Sequence, residues 1–433
     1  MDLAIIGAGI SGMALAAFQT QGTDLTVFEA SEGVGGLTGG ALKEGALQQW
    51  GANGFIDNEP AMDLLLQKLN LESIPAMPGA RYLLKDQSVV ALPAKPPGIF
   101  TSPLLSWRAK IRLLLEPFKS TLPHEQSVTD YLSHRLGREA ALRFGDPMVA
   151  GVWAGDASEL SMQAAFPRLV EAAESHGSLF KALRAAKKHP SKAPGLRSFE
   201  GGMGEITEAI RIQLGERLHL QEPVEKIRPT QAGWTLDTTQ GQYESQRIVL
   251  ALNAPTTASL IEPLLPETAA LIRSIPQAPV AVVHSVFSRE DWNPPEGFGL
   301  LCPSEENMRS LGVLFSSSTF PSHAPENQLL LRSILGGRRQ PSHAEADPQR
   351  IQQWALDDIK NFFPGCPEPL WQTCYKPAAG IPQYTLGHRE KIQEIRKQIR
   401  SLQGIEIIGN WLEGVAVKDC VRVAHACAGR LQV

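Results

Sequence analysis

The chain has 433 residues, enough for two or three domains each with a core of its own. A formal net charge of −4 gives a nucleic-acid role no electrostatic support. Five cysteines, at 302, 366, 374, 420 and 427, form no CxxC pair, which argues against a disulfide framework and a zinc site and fits a reducing compartment.

The first forty residues carry the strongest pattern. Leu3-Ala-Ile-Ile6 is a buried-type strand, followed at once by Gly7-Ala-Gly9-Ile-Ser-Gly12 and a small-residue helix to Gln19 that closes near Gly22. Leu25-Thr-Val-Phe28 is a second strand, and it ends on Glu29. A strand, GxGxxG, a helix and a second strand ending in an acid make the dinucleotide fingerprint in its structural context. Gly7, Gly9 and Gly12 allow the tight turn, the approach of a pyrophosphate and close helix packing, while Glu29 accepts from ribose hydroxyls and repels a 2′-phosphate. The opening lacks a basic n-region and a small-residue cleavage site, so it reads as a Rossmann strand and not as a signal peptide. Ser31-Glu-Gly-Val-Gly35-Gly36 follows, a glycine-dense loop suited to a long cofactor whose chain runs past backbone.

A helix is expected from near Glu59 to Leu69, then a hairpin of Arg81–Lys85 and Val89–Leu92 across Asp86-Gln-Ser88. Residues 98–198 read as mainly helical. Between 99 and 119, Trp107, Ile111, Leu113–Leu115 and Phe118 are interleaved with Arg108, Lys110, Arg112 and Lys119. That mixture suits a surface dipping into lipid headgroups, or an amphipathic helix on its own core with a solvated basic face. Lys181, Arg184, Lys187, Lys188, Lys192 and Arg197 form a basic run, a solvated helix end or a contact for an anion. No stretch approaches the ~20 apolar residues that span a bilayer.

Glu200-Gly-Gly-Met-Gly204 opens a return to Rossmann patterning, with a helix from Glu205 to Leu214, strands at Leu218–Leu220 and Ile248–Leu252, and a hairpin about Gln240-Gly241. Strands at Val280–Val283, Gly312–Phe315 and Leu329–Arg332 and a helix from Ile351 to Phe363 fill the next region. Near the end, a strand Ile405–Ile408 runs into Gly409-Asn410, then Gly414-Val415-Ala416 and a helix with apolar residues at Val417, Val421, Ala424, Ala428 and Leu431. Its N-terminus would offer backbone N–H groups to a second part of the cofactor, at Gly409, Asn410, Val415 and Val417.

The N-terminal stretch resembles the extended motif of the FAD-dependent amine oxidase superfamily, with Gly33 and Leu37 at flanking positions where that motif usually has an arginine. Within it, the chain is identified as similar to the oxygen-dependent protoporphyrinogen oxidase family. The matching runs are Gly151-Val-Trp-Ala-Gly-Asp156, Glu159-Leu-Ser161, Ala165–Leu169, Ser198–Glu205, Gly297-Phe-Gly299, Phe315–Pro321, Ile381–His388 and Gly409–Cys420, in the family's order. The resemblance implies FAD as cofactor and removal of six electrons from a porphyrinogen in three rounds, with O2 reoxidising the flavin to give H2O2.

It also implies roles for residues. Arg81 pairs with a propionate; Gly151 offers its carbonyl to pyrrole N–H groups; Leu301 and Phe320 sandwich the rings; and Val224 meets the adenine through its backbone. Arg81 and Gly151 are the two expected in the catalytic centre itself. Asn53 matches a position where family members vary, and His388 is a structural histidine. The implied fold is α/β: a Rossmann-type FAD-binding domain of the glutathione-reductase-like, amine-oxidase kind (residues 1–75, 197–258 and 403–433), an inserted α+β substrate domain (76–97 and 259–402), and a helical, membrane-associating domain (98–196). Implied partners are the porphyrinogen, O2, membrane lipid, ferrochelatase as recipient of the product, and a second copy in a homodimer, at the cytoplasmic membrane face.

Coproporphyrinogen III would want more cations than protoporphyrinogen IX, having four propionates instead of two. Arg81 alone stands out, which favours the latter. A flavin amine oxidase or carotenoid desaturase, and a non-catalytic flavin or porphyrin carrier, are the other readings.

Overall fold

The computed structural model describes residues 1–19, 22–93, 95–120, 124–188 and 195–431. It divides into two compact units, one of residues 1–76, 194–276 and 389–433, the other of residues 77–193 and 277–388. The three-domain division differs from this. Residues 98–193, expected as a helical domain, fall in the second unit, and residues 259–276 and 389–402 fall in the first. The side chains of Lys187 and Lys188 and all of Lys192 in the basic run lie outside the described residues.

The first unit is built on a parallel sheet in the order Leu218–His219, Leu25–Phe28, Leu3–Ile6, Arg247–Leu250, Ile405–Ile407. Both faces are covered, which is why Leu3–Ile6 is a continuous apolar run. Leu3 and Ile5 enter a core with the helices Ile10–Gln19, Pro60–Leu69, Gly204–Leu214 and Val417–Leu431. Ala4 and Ile6 enter the opposite core, made by the meander Val224–Thr230, Gly233–Thr238 and Gln242–Ser245 and by Ile392, Ile395 and Ile399. Alternation along four residues thus holds two layers on one strand.

The second unit carries a seven-stranded sheet in the order Trp371–Tyr375, Val280–Ser288, Gln328–Gly336, Ser310–Phe315, Gly299–Leu301, Arg81–Lys85, Ser88–Ala91. The last two strands are the expected hairpin, though its second strand starts at Ser88. One face packs on Pro348–Phe362 through Leu329, Leu331, Phe315, Leu356 and Ile359. The other meets Asp146–Trp153, where Ala150 and Ala154 pack with Val280, Leu311 and Ile334.

Candidate functional site

In the first unit the fingerprint glycines have distinct physical reasons. A Cβ on Gly12 would lie 2.0 Å from the Gly7 carbonyl oxygen, so helix and turn approach only without a side chain. Gly7 has φ 104° and would place a Cβ 2.6 Å from the Ala251 oxygen. Gly9 has nothing within 4 Å of its Cβ position; that open space is where a pyrophosphate can meet the turn. Gly35 and Gly36 fold back onto the same turn, since Gly35 N–H donates to the Ala8 carbonyl at 2.8 Å and Gly9 bridges Gly35.

Glu29 is already oriented. Its Oε2 accepts the Ala8 N–H at 2.7 Å and its Oε1 accepts the Ser31 N–H and hydroxyl at 2.9 and 2.7 Å. The carboxylate therefore sits against the glycine turn. Val224 begins the meander two residues after Glu222, whose N–H donates to the Glu29 carbonyl at 2.8 Å, so the adenine-side backbone is tied to the ribose acid.

The C-terminal contribution assembles beside the first helix. Gly409 would place a Cβ 3.0 Å from the Leu252 oxygen, which already accepts the Trp411 indole N–H at 3.0 Å. Asn410 follows, half-buried. Gly414 (φ 92°) makes the turn through Val415 into the helix at Val417. That helix packs on Ile10–Gln19, and Cys420 near its start is hydrogen-bonded to Ser11 near the start of the other. Burial pushes the Cys420 thiol up to about 11, so it is a neutral packing group. Two helix N-termini side by side, a glycine turn with open space and an oriented ribose acid fit a dinucleotide pyrophosphate. The positions flanking Gly35-Gly36 are Gly33 and Leu37, so no arginine supplements the backbone there.

In the second unit, Gly151 lies in the last turn of Asp146–Trp153, where main-chain carbonyls run out of helical donors. The Ala150 carbonyl takes Ala154 N–H, that of Trp153 takes the Gln383 amide, and that of Ala154 takes Arg338 N–H. None of these donors reaches the Gly151 carbonyl, and the residue is exposed. A Cβ on Gly151 would lie 3.0 Å from Leu301 Cδ2, so the two residues meet.

Arg81 stands on the neighbouring strand, paired with Gly299, and its guanidinium lies over the Phe298 ring at 5.1 Å. Leu300 and Leu84 enter the core under Pro348–Phe362. Strand alternation puts Arg81 and Leu301 on the opposite face, with Gly151. Phe320 behaves differently. It is 0% exposed and packs against the His323 ring at 4.9 Å, so it is a wall residue inside the unit and not part of an open surface. His388 is buried and stacked on Tyr384 at 3.9 Å. Asn53 accepts a hydrogen bond from the Gln49 amide at 3.0 Å, and Gln49 in turn accepts from Met203 N–H.

Sequence reasoning missed Ala8, Ser31, Trp411 and the Gln383 brace. Ala8, Trp411 and Gln383 act through contacts between separate segments, and Ser31 through a loop turn that brings it back onto Glu29, and a linear pattern signals neither.

The parallel sheet, glycine turn, paired helix ends and ribose acid define an FAD-dependent oxidoreductase of the amine-oxidase fold. Residues 10–432 match the family model described as flavin containing amine oxidoreductase, and the chain belongs to that family. It is 28% identical over 459 positions to protoporphyrinogen oxidase 2, chloroplastic/mitochondrial, of Arabidopsis thaliana, covering 96% of this chain and 90% of that one. It is 27% identical to coproporphyrinogen III oxidase of Mycobacterium bovis over 439 positions, covering 97% and 95%. A crystal structure from Exiguobacterium sp. 255-15 superposes with a TM-score of 0.88 at 21% identity, over 100% of this chain and 98% of that one. Cyclohexylamine oxidase from Brevibacterium oxydans IH-35A superposes with a TM-score of 0.73 at 20% identity, over 99% and 98%.

Proposed function

We propose that the chain oxidises a porphyrinogen to a porphyrin, with protoporphyrinogen IX as the substrate. The observation that carries this is the face shared by Gly151, Leu301 and Arg81: a main-chain acceptor free of helical donors, an apolar contact and a guanidinium. Those groups match a flat apolar macrocycle with central N–H donors and peripheral carboxylates. Likeness over nearly the whole chain to protoporphyrinogen oxidases supports it. Bound FAD supplies a two-electron acceptor that O2 regenerates, releasing H2O2. The protein's part is to hold the ring: Arg81 takes a propionate bidentately, the Gly151 carbonyl accepts pyrrole N–H, Leu301 supports the ring edge and Phe320 stiffens the wall.

Coproporphyrinogen III is the second reading, favoured by the likeness to the mycobacterial enzyme across 95% of its length. Purified protein given each porphyrinogen in air, with porphyrin fluorescence and peroxide followed, separates the two. Rapid fluorescence from protoporphyrinogen IX is expected. A faster rate with coproporphyrinogen III transfers the proposal to it, and no rate above autoxidation from a flavin-loaded protein overturns both.

The same proposal places the protein on a membrane surface. Trp107 is 72% and Phe118 85% exposed, with Ile111, Leu114 and Leu115 also open to solvent. The opposite side of Trp107–Leu113 is buried through Ala109 and Leu113, so the exposed apolar residues form a second face. Arg108 and Lys119 are interleaved with it, which suits anionic headgroups, whereas Lys110 is buried and Arg112 donates to the His134 and Arg135 carbonyls. No helix among the described residues is long and apolar enough to cross a membrane. Co-flotation with anionic liposomes is the expected result, lost on Trp107→Ser with Phe118→Ser; recovery of wild type in the soluble fraction at low salt refutes it.

A further inference from the structure

Glu29 is held by its main chain between two residues outside the dinucleotide fingerprint. Its N–H donates to the His219 carbonyl at 2.8 Å, and its carbonyl accepts the Glu222 N–H at 2.8 Å. The side chains of those two residues are themselves joined, His219 Nδ1 to Glu222 Oε2 at 2.7 Å. Three links therefore close a ring through Glu29, His219 and Glu222.

The ring is braced on every side. The other Glu222 oxygen accepts the Thr238 hydroxyl at 2.6 Å, and the Tyr243 hydroxyl also bonds Glu222 while lying 3.4 Å from His219 Nδ1. The His219 and Tyr243 rings pack edge-on against Phe28, the residue before Glu29, at 5.1 and 4.9 Å. Glu222 is 2% exposed. Burial opposes its charge, but the bonds from Thr238, His219 and Tyr243 override that and hold the carboxyl below its ordinary range.

The backbone supplies an independent sign. Gln221, whose N–H donates to the Ser31 carbonyl at 3.0 Å, has φ 54°. A non-glycine residue keeps that conformation where its surroundings over-determine it, and such positions cluster at ligand sites. Gln221 and Glu222 thus grip Ser31 and Glu29, and the Ser31 hydroxyl and N–H in turn fix Glu29 Oε1.

We propose that the His219–Glu222 pair is a positioning device for the adenosine end of the cofactor, holding the Glu29 carboxylate in the one orientation that receives the ribose hydroxyls. It touches no ligand itself. A cluster bonded through several side chains and two main-chain links is rigid, and rigidity at Glu29 removes the cost of ordering that carboxylate when the ribose arrives. The pair acts through Glu29, so its effect is confined to ligands that carry the hydroxyls Glu29 reads. The inference rests on the assignment of FAD to this cradle.

The test uses full-length protein stripped of flavin and titrated calorimetrically with FAD, ADP and 2′-deoxy-ADP. Wild type is expected to bind ADP more tightly than its deoxy analogue. Glu222→Gln is expected to weaken FAD and ADP about tenfold and 2′-deoxy-ADP by distinctly less, because the deoxy analogue keeps only one of the two hydroxyls that Glu29 reads. Equal weakening of ADP and 2′-deoxy-ADP marks a merely structural staple and overturns the proposal, as does no change at all. If Glu222→Gln does not fold, His219→Ala, at a residue partly open to solvent, carries the same comparison. Failure of wild type to bind either FAD or ADP is a separate outcome, which overturns the flavin assignment together with the inference.

Discussion

The two units offer ligands different parts of the chain. In the first, the groups presented are mostly main chain: N–H groups at two helix ends and glycines with no room for a Cβ, plus one carboxylate. In the second, apart from the Gly151 carbonyl, they are side chains on one face of a mixed sheet, on its one parallel pair of strands. Main-chain recognition tolerates almost no substitution, since the backbone path fails with the contact. Side-chain recognition grades smoothly with size and charge.

The sharpest way to break that contrast is Gly12→Val. With a Cβ 2.0 Å from the Gly7 oxygen, the variant is expected to lose about 3 kcal/mol or more of stability and to purify without flavin absorbance. A yellow protein of normal thermal stability would show that the turn relaxes. Glu29→Gln tests the one carboxylate in the backbone cradle. Loss of a charge-assisted hydrogen bond, about 1.5–3 kcal/mol, is expected to weaken FAD roughly 10- to 100-fold with the fold intact, as read by flavin release during dilution.

Arg81→Lys probes the other unit. A lysine keeps the charge but loses the fork and the stacking on Phe298, so KM is expected to rise about fivefold with kcat little changed. Gly151→Ala is graded: its Cβ meets only the end of Leu301, so kcat/KM is expected to fall a few-fold and to recover in the double variant with Leu301→Ala. Additive losses would separate the two residues. The smallest effect concerns pH. Because the folded Glu222 carboxyl lies below its ordinary value of 4.5, the stability it contributes is full above that value and is lost as pH falls through the folded value. Glu222→Gln is expected to flatten that acid limb of the thermal midpoint.

The same contrast explains what was legible beforehand. Gly7, Gly9, Gly12 and Glu29 were readable because strand, turn and helix geometry forces those residue types at fixed spacings. The periodicity at Val417, Val421, Ala424 and Ala428 likewise survives as a buried helix face. Arg81, Gly151, Leu301 and Phe320 were readable only through family resemblance, since an arginine on a hairpin or a leucine on a short strand has no spacing rule. Phe320 shows the limit, its ring lying wholly inside the unit. The His219–Glu222 pair has no signature in the sequence, because its bracing comes from Thr238 and Tyr243 of the meander. The resemblance implies a helical domain at 98–196, and within it Ala150 and Ala154 share a core with Val280 and Ile334 inside the second unit, a contact that no local pattern announces.

The central sheet has a consequence for biosynthesis. Leu3–Ile6 pairs on one side with Leu25–Phe28, made within seconds, and on the other with Arg247–Leu250. At the usual ~5–20 residues per second, that second neighbour reaches the nascent chain roughly 10–50 s later. Through that interval a strand with no polar side chain has an open edge. The strand Ile405–Ile407 and the helix that completes the cradle come later still. Completion of the cradle therefore waits until the helix Val417–Leu431 has been made, and a nascent-chain chaperone has a long, defined window in which to guard that edge.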